Sequence, residues 1–154
     1  MAALKPIQIS GWLKDVNDNF DSLASLSGLH ITKFTFDTAA NDAASTPASN
    51  KTVAAHPLAV TIPDNAIVIS GFVDVIAAVT SNGDATVAIH LVDANDLLTA
   101  TGKASLTLAA QLPMAAVIAA PIKLAAEKAI TVTVGTAALT AGKIDGYIIW
   151  MEGA

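Results

Sequence analysis

Apolar residues recur every three or four positions before residue 28 and every second position after it. In residues 12–26, WLKDVNDNFDSLASL, the stripe is Trp12, Val16, Phe20 and Leu23, widened by Leu13 and Leu26. Asp15, Asn17, Asp18, Asn19, Asp21 and Ser22 fill much of the remaining surface. This spacing predicts one short amphipathic helix, with Ser10 as a candidate cap and Gly28 just beyond the last turn. About fifteen residues, several of them Asn or Asp, are marginal as an isolated helix, so the stripe needs something to pack on. That partner is the rest of the chain, further copies of it, or another protein. Residues 1–11 read as an extended arm.

Beyond Gly28 the pattern is that of strands. Leu29–Phe36 is the first candidate, followed by Leu58–Ile62, Ala66–Val79, Ala85–Leu91, Val117–Leu124, Ala129–Val134 and Lys143–Met151. Ala104–Ala110 is a further candidate. Asp37–Asn50 is a polar loop of small residues, long for a passive connection. Asp93–Gly102 reads as a short turn or a single helical turn, capped by Asn95 or Asp96, and Gly135–Gly142 as a further turn. Asn82-Gly83 signals a hairpin, because both residues tolerate positive φ. The two-residue period in Ala66–Val79 puts Ile67, Ile69, Val73, Val75, Ala77 and Val79 inward, facing the row Val87, Ile89 and Leu91. The outward positions then include Ser70 and Asp74, with Thr86 and His90 on the facing strand, but also Val68, Phe72 and Ile76. Seven or eight short strands between tight turns predict a mainly β fold, an antiparallel β-sandwich with a short N-terminal amphipathic helix. The chain divides into an arm and helix, 1–28, and a β-sandwich domain, 29–154.

Composition sharpens this picture. Of 154 residues 53% are hydrophobic and only 14% charged, and 32 are alanine, against about 25% charged in an ordinary soluble domain. A core of Ala, Val, Ile and Leu with outward apolar side chains suggests that part of its surface is covered by other chains; the plainer alternative is that the alanines simply occupy exposed positions. Net charge is −5 and there is no Arg, which speaks against nucleic-acid partners and against bidentate anion recognition. No Cys excludes disulfides, thiolate nucleophiles and cysteine metal sites. The start MAALKPIQISGWLKD lacks the apolar stretch and cleavage site of a signal peptide. The most apolar run, Ala66–Val79, holds Asp74 and is too short for a membrane span. No membrane association is expected.

Chemistry is sparse. His30, His56 and His90 are far apart, without the spacing of a metal site. No G-x-S-x-G elbow seats a nucleophile, and no glycine-rich loop leads from strand to helix to hold phosphate. Asp15, Asp18 and Asp21 read as a solvated helix face. Asp93, Asn95 and Asp96 offer oxygens to a hard cation but lack the loop of an EF-hand. Tyr147 and Trp150 differ in parity on one strand and so face opposite ways, which weakens a sugar-binding platform. No enzymatic activity, cofactor or metal is expected.

Four stretches carry a resemblance: AHPLAVTIPDNAIV at residues 55–68, GFVDV at 71–75, ANDLL at 94–98 and LTAGK at 139–143. Over roughly residues 51–151 the chain resembles structural proteins of tailed bacteriophages, in particular capsid decoration, cement or head-fibre proteins. The resemblance implies a jelly-roll-like sandwich that forms a homotrimer and binds the major capsid protein lattice on the exterior of the virion, after assembly in the host cytoplasm. Val68, Phe72 and Ile76 would then pack between copies, while the arm and Trp12, Val16, Phe20 and Leu23 would dock on the shell or bundle about the threefold axis. The alternative is a carbohydrate- or receptor-binding module of a tail fibre or spike.

Overall fold

A computed structural model of the protein describes residues 28–40 and 50–153; the arm and the helix expected over 12–26 lie outside the described residues. The chain forms β1 (Leu29–Asp37), β2 (Ala55–Ile62), β3 (Ala66–Ser81), β4 (Thr86–His90) and β5 (Leu98–Gly102). A 3₁₀ turn at Lys103–Ser105 leads to β6 (Gln111–Pro113), and a five-residue helix α1 (Ala115–Ala119) to β7 (Ile122–Lys123), β8 (Lys128–Gly135) and β9 (Leu139–Glu152). One sheet has the order β1-β9-β3-β6, with β7 also on β3, and the other the order β2-β8-β4-β5; every pairing is antiparallel. The expected antiparallel two-sheet architecture is therefore present.

The two-residue period explains how the sheets close. In β8, Ile130, Val132 and Val134 are buried and the residues between them are only partly so. Phe34 and Phe36 of β1, Val73 and Val75 of β3, and Ile144 and Ile148 of β9 join them in one core with Ile62, Val87 and Ile89. Each such side chain contributes about 1.5–3 kcal/mol on burial.

Several elements depart from the sequence reading. Asn82-Gly83 does not close a hairpin: β3 pairs with β9, β6 and β7, whereas β4 pairs with β5 and β8 in the other sheet. Neither residue takes positive φ. The stretch carries the chain across the sandwich instead, with the Gly83 amide donating to Ser81 Oγ. The expected strand Val117–Leu124 is α1 followed by the two-residue β7, and Ala104–Ala110 is a 3₁₀ turn and connection. Conversely Leu98–Gly102, read as part of a turn, is the edge strand β5, and the expected turn Gly135–Gly142 ends early because β9 begins at Leu139.

The β4–β5 connection is held by one carboxylate. Asp96 Oδ1 accepts from the Leu91 amide at 2.9 Å, and Oδ2 accepts from Val92 at 2.8 Å and Asp93 at 3.0 Å. Asn95, at φ 69°, accepts from the Ala100 amide. Asp96→Ala strands three amides at a partly solvated turn, so a loss of about 1 kcal/mol is expected, read as a lower urea midpoint at unchanged slope.

Candidate functional site

The surface least like that of an ordinary soluble domain is the outer face of the sheet containing β1, β9 and β3. Register places its outward side chains in rows. Leu29, Met151 and Ile67 form the first row, Ile31, Ile149 and Ser70 the second, and Lys33, Tyr147 and Phe72 the third. Thr35, Asp145, Asp74 and Gln111 form the fourth, and Asp37 and Lys143 the fifth. Ring stacking of Phe72 on Tyr147, with centroids 4.9 Å apart, fixes the third row, and Lys33 Nζ lies 5.6 Å from the Tyr147 centroid. Ile31 is 66% exposed, Leu29 45% and Phe72 39%. A face that ends in three largely apolar rows is a candidate contact surface.

The other end of the face is an ionic ladder. Lys33 Nζ lies 2.6 Å from Asp145 Oδ2, while the Thr35 hydroxyl donates to Asp145 Oδ1 at 2.7 Å. Lys143 Nζ lies 3.3 Å from Asp37 Oδ2. Burial pushes the Asp145 carboxyl up, but the bonds from Lys33 and Thr35 and the positive charges of Lys33 and Lys143 outweigh it and hold it below the usual range. The hydrogen bond to Asp145 raises Lys33, and the Ala39 amide, followed by Lys143, lowers Asp37.

The residues singled out from sequence fall into three groups. Trp12, Val16, Phe20 and Leu23 lie outside the described residues. Phe72 and Ile76 are exposed, Ile76 at 43%, but the polar fourth row separates them. Val68 is not outward: it is fully buried, opposite Trp150. The cause is a register shift between Val68 and Ser70, which reverses the parity of β3, so that Ala66 and Val68 point inward before it and Val73 and Val75 after it. Ile67, expected inward, is on the outer face for the same reason. Sequence reading missed Leu29, Ile31, Ile149 and Met151, whose common face depends on β1 pairing with β9.

The histidines do not converge. His30 stacks on Trp150 with centroids 4.2 Å apart, His56 is fully buried with Nε2 2.9 Å from the Thr52 carbonyl oxygen, and His90 ends β4. Trp150 donates from Nε1 to the Thr32 hydroxyl, so it and Tyr147 do sit on opposite faces. Among the described residues no three His, Asp or Glu side chains are placed to hold a metal ion, and both oxygens of Asp96 are engaged by amides. An open hollow of about 620 Å³ lies between β1 and β2, lined by Lys33, Asn50, Leu58 and Val60 among others. No helix among the described residues is long and apolar enough to cross a membrane.

No protein-family model and no curated protein matches this chain. Its fold is similar to that of chains in three solved phage capsids. The acid-stable capsid of Helicobacter pylori bacteriophage KHP30 contains a chain 15% identical, aligned over 82% of this chain and 89% of that one at a TM-score of 0.55. The capsid of Ralstonia phage GP4 contains one 16% identical, over 81% and 86%, also at 0.55. The capsid asymmetric unit of cyanophage Pam1 contains one 12% identical, over 80% and 84%, at 0.50. At these identities the likeness is one of fold.

Proposed function

We propose that this chain is a structural virion protein that decorates and stabilises a tailed-phage capsid by binding the lattice of the major capsid protein. The observation that carries the reading is the shared fold: chains from three phage capsids align over four-fifths of this one. The sheet orders β1-β9-β3-β6 and β2-β8-β4-β5 support a jelly-roll-like reading, because the chain crosses between sheets at nearly every connection, as two interleaved Greek keys require. The acidic, arginine-free composition and the half-apolar outer face suit a protein that works through packing against other chains.

In this reading copies associate as a homotrimer, with Phe72 and Ile76 among the side chains available to the contacts, and the N-terminal segment 1–28 anchors or oligomerises the sandwich. Weak contacts repeated over a lattice act together, so occupancy is high even where one contact is weak.

The test mixes the full-length protein with capsids of its phage prepared without it. Expected are saturable co-sedimentation, a raised shell-disruption temperature and a light-scattering mass three times that of the chain. Failure to bind capsids, together with reproducible hits on a glycan array, would replace this reading with a tail-fibre or spike module.

A further inference from the structure

Each sheet has two edges, and all but one of these edges are blunted in the ways that keep strands from pairing with other chains. On one side of β3, β6 and β7 are only three and two residues long. β2 carries Pro57, which has no N–H, and a register shift follows it. β5 gives its Ala100 amide to Asn95 Oδ1. β1 is different, running nine residues against β9 with no register shift. Just past its end the Thr38 amide donates to the Gly142 carbonyl. By antiparallel alternation the even-numbered residues of β1 therefore bond β9, and Ile31, Lys33 and Thr35 turn both backbone groups to the free edge. Among the described residues no backbone group pairs with theirs. Lys33 does not guard this edge, because its side chain folds back over β9 onto Asp145 and Tyr147.

We propose that the free edge of β1 takes up an extended segment of the major capsid protein as a further strand, an inference that deepens the capsid reading and rests on it. The form of the occupant follows from what the edge offers. Amides and carbonyls recurring at every second residue are matched by the backbone of another extended chain. Side chains of the added strand opposite Thr32 and Phe34 would point inward, since facing residues of a sheet lie on the same side. On that side lies the open hollow of about 620 Å³ between β1 and β2, whose lining includes Phe34, Leu58, Ala59 and Val60. Backbone pairing would supply affinity, and the hollow would select apolar side chains at alternate positions. A second copy's β1 fits poorly, because its inward Phe34 and Phe36 are already packed in its own core and cannot enter the hollow. Such a pairing is also two-fold and does not close a trimer. Phe72 and Ile76 lie on β3, with β9 between it and β1, and stay free for contacts between copies.

The test uses the full-length protein and capsids of its phage prepared without it. In the isolated protein the amides of Ile31, Lys33 and Thr35 should exchange freely with deuterium. On the capsid they should slow by about tenfold or more, read by mass spectrometry. Ile31→Pro removes one edge N–H and sets a ring against the incoming strand, while the bonds to β9 are kept. It is expected to bind capsids about tenfold or more weakly, whereas Ile31→Thr, which keeps the N–H, should bind nearly as the wild type does. If the proline variant does not fold, the exchange measurement on the wild type decides alone. Wild-type protein that binds capsids with these amides exchanging as before would overturn the inference and leave the capsid reading standing. So would a folded Ile31→Pro protein that binds as tightly as the wild type. Slow exchange already present in the isolated protein would assign the edge to the chain itself or its copies and overturn the inference as well. No binding of the wild type to capsids would sink the capsid reading, and the inference with it.

Discussion

Gly146→Val is expected to abolish soluble expression, and Gly146→Ala to destabilise the protein by about 1–3 kcal/mol, because the ring of Phe34 occupies the space a side chain would need. Phe34 and Gly146 are directly opposed in the β1–β9 register and both face the core. A Cβ built on Gly146 would overlap Cζ and Cε1 of the ring and come within 2.7 Å of Cε2. An aromatic ring laid over a glycine on the neighbouring strand compensates for the missing side chain. The ring is 1% exposed, so it has no empty space to swing into. Overpacking of this kind costs about 1–3 kcal/mol for a single methyl and more for a branched chain. Removing the ring costs in the other direction: Phe34→Ala is expected to lose about 3–5 kcal/mol. The two defects are complementary. Phe34→Leu with Gly146→Ala should be more stable than the sum of the single changes predicts, since the smaller side chain admits the new methyl. Urea melts of the four proteins close the cycle. A Gly146→Ala protein as stable as the wild type would show that the ring lies elsewhere.

How much of this was legible in the sequence depends on whether a signal is local. The period of β8 is clean because one face is buried and the other carries Thr131 and Thr133. The period of β3 is not, because its outer face is also apolar: with Ile67, Val68 and Ile69 in succession, either parity satisfies the pattern. Only the register shift decides, and nothing in a two-sided apolar strand announces it. Asn82-Gly83 was a sound turn signal attached to the wrong topology, since turn chemistry does not say whether the chain returns beside its own strand or crosses to the facing sheet. The edge strand β5, LTATG, has neighbours on one side only and lacks apolar alternation. The short α1 arose where an alanine-rich run, AAVIA, meets Pro121 soon afterwards. The site was the least legible part. Ile31 and Ile149 are 118 positions apart, and their common face exists only because the first and last strands pair.

Acid is expected to erase the contribution of the ionic ladder, and Asp145→Asn to show how much of it one carboxylate supplies. Asp145 is 8% exposed and receives hydrogen bonds from Lys33 and Thr35. Charge-assisted bonds of this kind contribute about 1.5–3 kcal/mol where shielded, so a loss of about 2 kcal/mol is expected at pH 7. For a chain of this length that corresponds to about 4–8 °C in melting temperature. The sign of the pH dependence follows from the direction of the shift. The folded carboxyl titrates below its ordinary value of 3.8, so its stabilisation is fully present above that value and is lost as pH falls through the folded one. Asp37, also lowered, adds in the same direction. Lys33, raised above 10.5 by the same bond, stays charged over this whole range, so on its side the bond is lost only as pH rises through the raised value in strong alkali. The wild-type melting temperature should therefore be level around neutrality and fall below about pH 4. Over the same range its advantage over Asp145→Asn should shrink, because protonation turns the wild-type carboxylate into a neutral group much like the amide. A constant gap between the two proteins from pH 7 down to pH 2 would mean that Asp145 stabilises the sheet by shape and packing alone, and the ladder would lose its electrostatic role.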